Sequence, residues 1–172
     1  MGCPRELNLG RGDPNLRDPN LCNRGHDKAE SSDHPSVSPK VDFVMRLLLD
    51  TSVLIDALRA RRERRSWLAE LVRAGHSLET SALNVAEVYA GMRPEEEDQT
   101  QAFLGALLCH SISATTGEMA GKFKSHWARK GRTLTLADTI VGAVAIEQNC
   151  ILVTDNRKDF PMAELRLFDM PE

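Results

Sequence analysis

The sequence predicts an α/β domain on a parallel sheet, and three observations carry the prediction. Past residue 44, short apolar runs alternate with segments whose apolar residues recur every three or four positions. Two of the runs, MRLLLD and CILVT, read as strands and lead directly into Asp50 and Asp155. A third segment, LADTIVGAVAIEQN, is nearly all apolar, which marks it as a buried helix.

Each element follows in chain order. MRLLLD is the first strand and ends at Asp50. TSVLIDALRA and ERRSWLAELVRAG are helical, the second with Trp67, Leu68, Leu71 and Val72 on one side and Gly75 as its stop. HSLETS is a short second strand. A helix from about Ala82 to Met92 precedes one beginning at Pro94, whose first turn carries Glu95, Glu96 and Glu97, where the helix dipole favours acids. Cys109 to Ala114 is expected as a third strand and Thr116 to Arg129 as a helix. LADTIVGAVAIEQN, CILVT and a last short strand, RLFDM, complete the domain.

A chain of 172 residues has room for one such domain with a real core and some residues to spare. The spare ones are residues 1–44, dominated by Gly, Pro, Asn, Asp, Ser and charges, with a near-duplicate GDPNL and RDPNL. No core can be built from that composition, so 1–44 is expected to be a disordered extension and 45–172 the domain. It has no apolar stretch of a secretory signal, and its acids argue against a mitochondrial-type presequence. Met45, directly before the first strand, makes the extension either a dispensable tail or the product of an early start codon.

Composition narrows the function classes. Aromatic residues make up only 5%, which disfavours the stacked-base platforms of single-strand binders, and the longest apolar run is too short to cross a bilayer. The formal charge of −3 hides two basic runs, Arg59, Arg61, Arg62, Arg64 and Arg65, then Lys122, Lys124, Arg129, Lys130 and Arg132. Cys3, Cys22, Cys109 and Cys150 include no CxxC pair, and Cys109 and Cys150 are expected as buried free thiols in a reducing cytosol. The five histidines show no ligand spacing, leaving zinc chemistry without support.

Four acids stand where acids are costly: Asp50 at a strand end, Glu87 and Asp138 in helix-like runs, and Asp155 after the second strong strand. An ionised carboxylate taken out of water is heavily penalised, and two about 4 Å apart repel by roughly 4 kcal/mol at an effective dielectric near 20. A divalent cation removes both costs, and hard oxygen donors suit Mg²⁺ or Mn²⁺. Each acid has a plainer reading: N-capping for Asp50, solvent exposure for Glu87, a first-turn dipole contact for Asp138, and an Asx-type turn for Asp155 with Asn156 and Asp159. Asp138 is the most specific, because Val141, Gly142 and Ala145 share its face and a buried helix gains nothing in packing from an acid.

In this order and on these elements, RLLLDTSVLID, NVAEVYAG, LADTIVGAVA and LVTDNRKDF resemble the PIN-domain nucleases, in particular the VapC-like toxins of bacterial toxin–antitoxin pairs. The resemblance covers Met45 to about Glu172. It implies a three-layer α/β/α sandwich with a mainly parallel central sheet, and Asp50, Glu87 and Asp138 as core acids. It also implies a Mg²⁺- or Mn²⁺-dependent cytoplasmic endoribonuclease acting on RNA, often a homodimer, silenced by a small antitoxin protein. In many relatives an Arg follows the Thr of a TxN motif. Here Asp155 takes that place and Asn156 the next, so the fourth site position is Asp155, Asn156 or Asp159.

The mechanism so implied has Asp50 and Asp138 holding the principal metal, with Glu87 and the Asp155 region completing the site. Thr51, Ser52 and Asn156 are expected to touch acid or phosphate, and the basic runs to meet the RNA backbone. Two rivals come from other classes. An aspartate-based phosphoryl-transfer domain accounts for Asp50, but Ser52 stands where haloacid-dehalogenase-like enzymes need a second Asp, and CILVTDN lacks the Lys of receiver domains. A catalytically silent RNA- or partner-binding module of the same fold is the other, and the complete set of acids disfavours it.

Overall fold

The computed structural model describes residues 44–170. Of the extension expected over 1–44, residues 1–43 lie outside the described residues, as do Cys3 and Cys22. The strands are β1 (Arg46–Leu49), β2 (Ser77–Ser81), β3 (Leu108–His110) and β4 (Ile151–Val153). The helices are α1 (Thr51–Leu58), α2 (Arg64–Arg73), α3 (Ala82–Ala90), α4 (Glu97–Gly105), α5 (Ala114–Arg129) and α6 (Leu136–Glu147). Single 3₁₀ turns at Pro94–Glu96 and Arg157–Asp159 complete the set.

All strand pairs are parallel, in the order β3-β2-β1-β4. Parallel neighbours require helical crossovers, and each connection here supplies two helices. β1 is fully buried over Leu47, Leu48 and Leu49, and its two-residue alternation divides them between two cores. Leu47 and Leu49 join Val53, Leu54, Leu68, Leu71, Val88 and Leu104 from α1–α4. Leu48 and Leu152 pack on the opposite side against Val141, Val144 and Ala145 of α6, with Phe123 and Trp127 of α5 against that cluster. The result is the three-layer sandwich.

Two expected strands turn out differently. The third is only Leu108–His110, because Ser113 caps α5: its hydroxyl accepts from the Thr116 amide at 2.9 Å and ends the extended run. The last reduces to one parallel bridge between Leu152 and Leu167, fixed by the Leu152 amide to Arg166 and the Phe168 amide to Leu152. Cys109 is exposed rather than buried, since β3 is an edge strand, whereas Cys150 is 2% exposed. Gly142 of α6 is where Met162, Phe160 and Leu165 close over the helix. A methyl there would meet the Met162 Cε at 3.3 Å.

Candidate metal centre

The sheet order reverses at β1, which has β2 on one side and β4 on the other. In open parallel sheets the crevice beyond the strand ends at such a point binds ligands. Asp50 lies there, N-capping α1 with its Oδ1 accepting from the Thr51 amide at 2.8 Å. Its Oδ2 accepts from Ser52 Oγ at 3.0 Å and from Thr154 Oγ1 at 2.7 Å. Capping and site membership are therefore compatible roles for one side chain. Thr154, at the end of β4, also accepts from the Asn156 amide at 3.0 Å, so Asn156 supports the site through its backbone.

Thr51 links Asp50 to Glu87. Its amide holds Asp50 while its hydroxyl donates a short hydrogen bond to Glu87 Oε2. Asn84, fully buried, orients that hydroxyl by donating from Nδ2 to Thr51 Oγ1 at 2.9 Å, and is itself held by Ser81, whose Oγ lies 2.5 Å from Asn84 Oδ1. Ser81 is the N-cap of α3, so the run SALNVAE places cap, relay and acid at successive three-residue steps along one helix. Thr51 and Ser52, expected to touch acid or phosphate, both donate to acids here.

Asp138 sits in the first turn of α6, half-buried, with Thr135 as N-cap. The Asp138 amide donates to Thr135 Oγ1 at 3.0 Å, and Thr135 returns a short hydrogen bond to Asp138 Oδ2. Asp138 is close enough to Asp50 for its charge to be felt there. Burial pushes the Asp50 carboxyl above the ordinary carboxylate range, Thr154, Ser52 and Thr51 pull it back, and Asp138 adds to the rise.

Among the described residues, no Lys, Arg or His forms an ion pair with Asp50, Glu87 or Asp138. Asp50, Glu87 and Asp138 are held only by neutral donors and offer hard oxygen ligands of the kind Mg²⁺ or Mn²⁺ takes, but among the described residues the group whose ligand atoms all lie within 4.8 Å of one another is Glu79, His110 and Cys150, not these three.

Asp155 is held differently. Arg64 reaches its Oδ1 at 2.6 Å and Arg62 at 3.3 Å, and its Oδ2 is buried with no hydrogen-bond partner. Three non-glycine residues with positive φ, Ala60, Arg62 and Glu63, turn the chain between α1 and α2 to bring these arginines there. They border an open cleft of about 1160 Å³, also lined by Trp67, Thr154 and Arg157. Arg64, expected with its run to meet the RNA backbone, is only 5% exposed. In the second basic run Lys122 pairs with Glu118, Lys124 donates to the Leu134 carbonyl, and Lys130 and Arg132 lie over Trp127. Asp159 caps nothing and sits half-buried in the turn after Asn156.

A parallel α/β sandwich with Asp50 at the switch point of its sheet, tied through Thr51 to Glu87, is thus defined by its own geometry. The sequence model described as "PIN domain" matches residues 47–164, and the chain belongs to that family. It is 29% identical over 115 residues to Ribonuclease VapC19 of Mycobacterium tuberculosis, spanning 67% of this chain and 92% of that protein. To Ribonuclease VapC2 of Rickettsia felis it is 26% identical over 121 residues, 67% of this chain and 90% of that one. Among solved structures, VapBC2 from Rickettsia felis bound to a promoter DNA fragment superposes with a TM-score of 0.66 at 23% identity, covering 74% of this chain and all of that one. A toxin–antitoxin complex from Klebsiella pneumoniae gives 0.57 at 26% identity, covering 69% and 94%.

Proposed function

We propose that this chain is a metal-dependent endoribonuclease, the toxin of a toxin–antitoxin pair, with Asp50, Glu87 and Asp138 as the residues that hold Mg²⁺ or Mn²⁺. The observation that carries the reading is that Thr51 holds Asp50 through its amide and Glu87 through its hydroxyl, with Asp138 near enough to raise the Asp50 carboxyl and, among the described residues, no ion pair to any of the three. The family membership and the ribonuclease relatives supply the reaction class. Asp50, Glu87 and Asp138 would hold the cation, which would supply polarisation of the scissile phosphate and a more acidic water.

The protein's own part is orientation. Thr154 and Ser52 fix Asp50, the Ser81–Asn84–Thr51 relay fixes Glu87, and Thr135 fixes Asp138. Asp155 is the fourth candidate and the weakest contributor, because Arg64 and Arg62 already neutralise it. Arg62, 63% exposed, is the cleft residue able to release Asp155 for an RNA phosphate. The toxin–antitoxin structures among the neighbours support a small antitoxin as partner, and a homodimer belongs to the same reading. No helix among the described residues is long and apolar enough to cross a membrane, in keeping with a cytoplasmic site of action.

Cleavage of labelled RNA tests the reading, with Mg²⁺ or Mn²⁺, with EDTA, and with Asp138→Asn. Cleavage that needs the cation and disappears in the variant is expected; cleavage that survives chelator and variant alike rejects the mechanism. A short reading frame abutting the gene upstream is the corresponding genomic expectation for an antitoxin.

A further inference from the structure

A second cluster shares no residue with the acidic centre. Glu79, in the middle of β2, is 1% exposed, and its carboxylate collects donors from three directions. Arg46 of β1 donates from Nε to Oε1 at 2.8 Å and from its terminal nitrogen to Oε2 at 2.9 Å. On the same Oε2 stand His110 Nε2 of β3 at 2.5 Å and Cys150 Sγ, just before β4, at 3.3 Å. Residues of β1 and β3 and the residue before β4 thus meet on one carboxylate of β2, and the ligand atoms of Glu79, His110 and Cys150 all lie within 4.8 Å of one another. In sequence they are 31 and 71 residues from Glu79, which is why no ligand spacing is visible in the chain.

We propose that Glu79, His110 and Cys150 form a second metal site, selective for Zn²⁺ or a similar borderline-soft cation. One thiolate, one imidazole and one carboxylate match the donors zinc takes, at bonds of about 2.0–2.3 Å, and differ in kind from the all-oxygen centre. The present contacts are hydrogen bonds. Binding exchanges protons for the ion: Cys150 loses its S–H proton to solvent, and neutral His110 moves its ring proton from Nε2 to Nδ1, freeing the Nε2 lone pair. Glu79 turns Oε2 from acceptor of those two hydrogens to ligand. Arg46 gives up its terminal contact to Oε2 and keeps Nε on Oε1, orienting the carboxylate as an outer partner of the metal. Its side chain, 42% exposed, and that of His110, 11% exposed, mark the route by which ion and a fourth ligand, water, arrive.

The plainer account is a buried ion-pair network that only fixes strand register. The two separate in the full chain carrying Cys3→Ser, Cys22→Ser and Cys109→Ser, which leaves Cys150 as its only thiol. Titration with Co²⁺ is expected to give a near-ultraviolet thiolate-to-metal charge-transfer band that saturates at one equivalent, with release of about one proton per ion. Zn²⁺ should displace Co²⁺ and raise the melting temperature, whereas Mg²⁺ should do neither to the band. His110→Ala should weaken Co²⁺ binding at least tenfold, while Asp138→Asn should leave it unchanged. A folded single-thiol chain that shows no band at saturating Co²⁺, or a band indifferent to His110→Ala, overturns the proposal in favour of the plain network. Because the titration needs no substituted ligand, misfolding of His110→Ala does not remove its force.

Discussion

Asp50 and Glu79 are both acids buried on a parallel sheet, and they shift in opposite directions. Asp50 is surrounded by hydroxyls, an amide and another acid, and burial raises its carboxyl. Glu79 is opposed by burial too, but Arg46, His110 and Cys150 outweigh it and bring the carboxyl down to about 2. Neutral donors orient a carboxylate without compensating its charge; a guanidinium does both. The protein therefore carries one buried acid whose charge is answered by a guanidinium and one held by neutral donors alone.

The largest way to break this contrast is to remove the unanswered charges. Asp50→Asn and Asp138→Asn should each lower metal-dependent RNA cleavage by about two to four orders of magnitude in single-turnover rate, since a lost metal contact removes several kcal/mol of charge stabilisation. Asp138→Asn should at the same time raise the melting temperature without metal, because it lifts the repulsion on Asp50. A fall in both would assign Asp138 to packing instead.

Next in size is the answered charge. Glu79→Gln should cost about 2–4 kcal/mol in urea unfolding, near the lower range for breaking a buried pair because Arg46 keeps part of its hydration. The same contact sets an acid limit. A carboxyl lowered from 4.5 to about 2 contributes stability that is complete above pH 4.5 and is lost as the pH falls towards 2. That loss should be missing from the acid titration of Glu79→Gln.

A subtler test uses metal and pH together. Asp50 is raised, so its protonated form favours the fold at low pH and that contribution is lost as the pH rises through its folded value. Mg²⁺ should therefore stabilise the protein more at pH 7 than at pH 5, and Asp50→Asn should abolish the difference in thermal unfolding. Smallest of all should be Asp155→Asn, an order of magnitude or less in cleavage rate, because Arg64 and Arg62 have already neutralised it. A loss as deep as that of Asp138→Asn would make Asp155 a full member of the site.

Much of this was legible from residue order. An acid at the end of MRLLLD, one among the small residues of NVAEVYAG and one opening LADTIVGAVA are conspicuous because local composition argues against them. Glu79 is not: in HSLETS its neighbours are polar, and nothing local says that β2 buries it. The relay of Ser81, Asn84 and Thr51 had a faint signal, a Ser followed by an amide at a capping distance. The commitment of Arg64 to Asp155 had none, because a run of arginines reads as solvated wherever it stands.

By itself, then, the sequence determined the alternation of strands and helices, the parallel sheet, and which acids stand where desolvation makes them costly. Those follow from periodicity and desolvation, which act on near neighbours. Only the tertiary structure decided that Thr51 joins Asp50 to Glu87, that Asp155 belongs to the arginines, and that Glu79, His110 and Cys150 share one oxygen. Strand order and crossover set those pairings, and a parallel sheet places side by side residues that the chain keeps 31 to 104 positions apart.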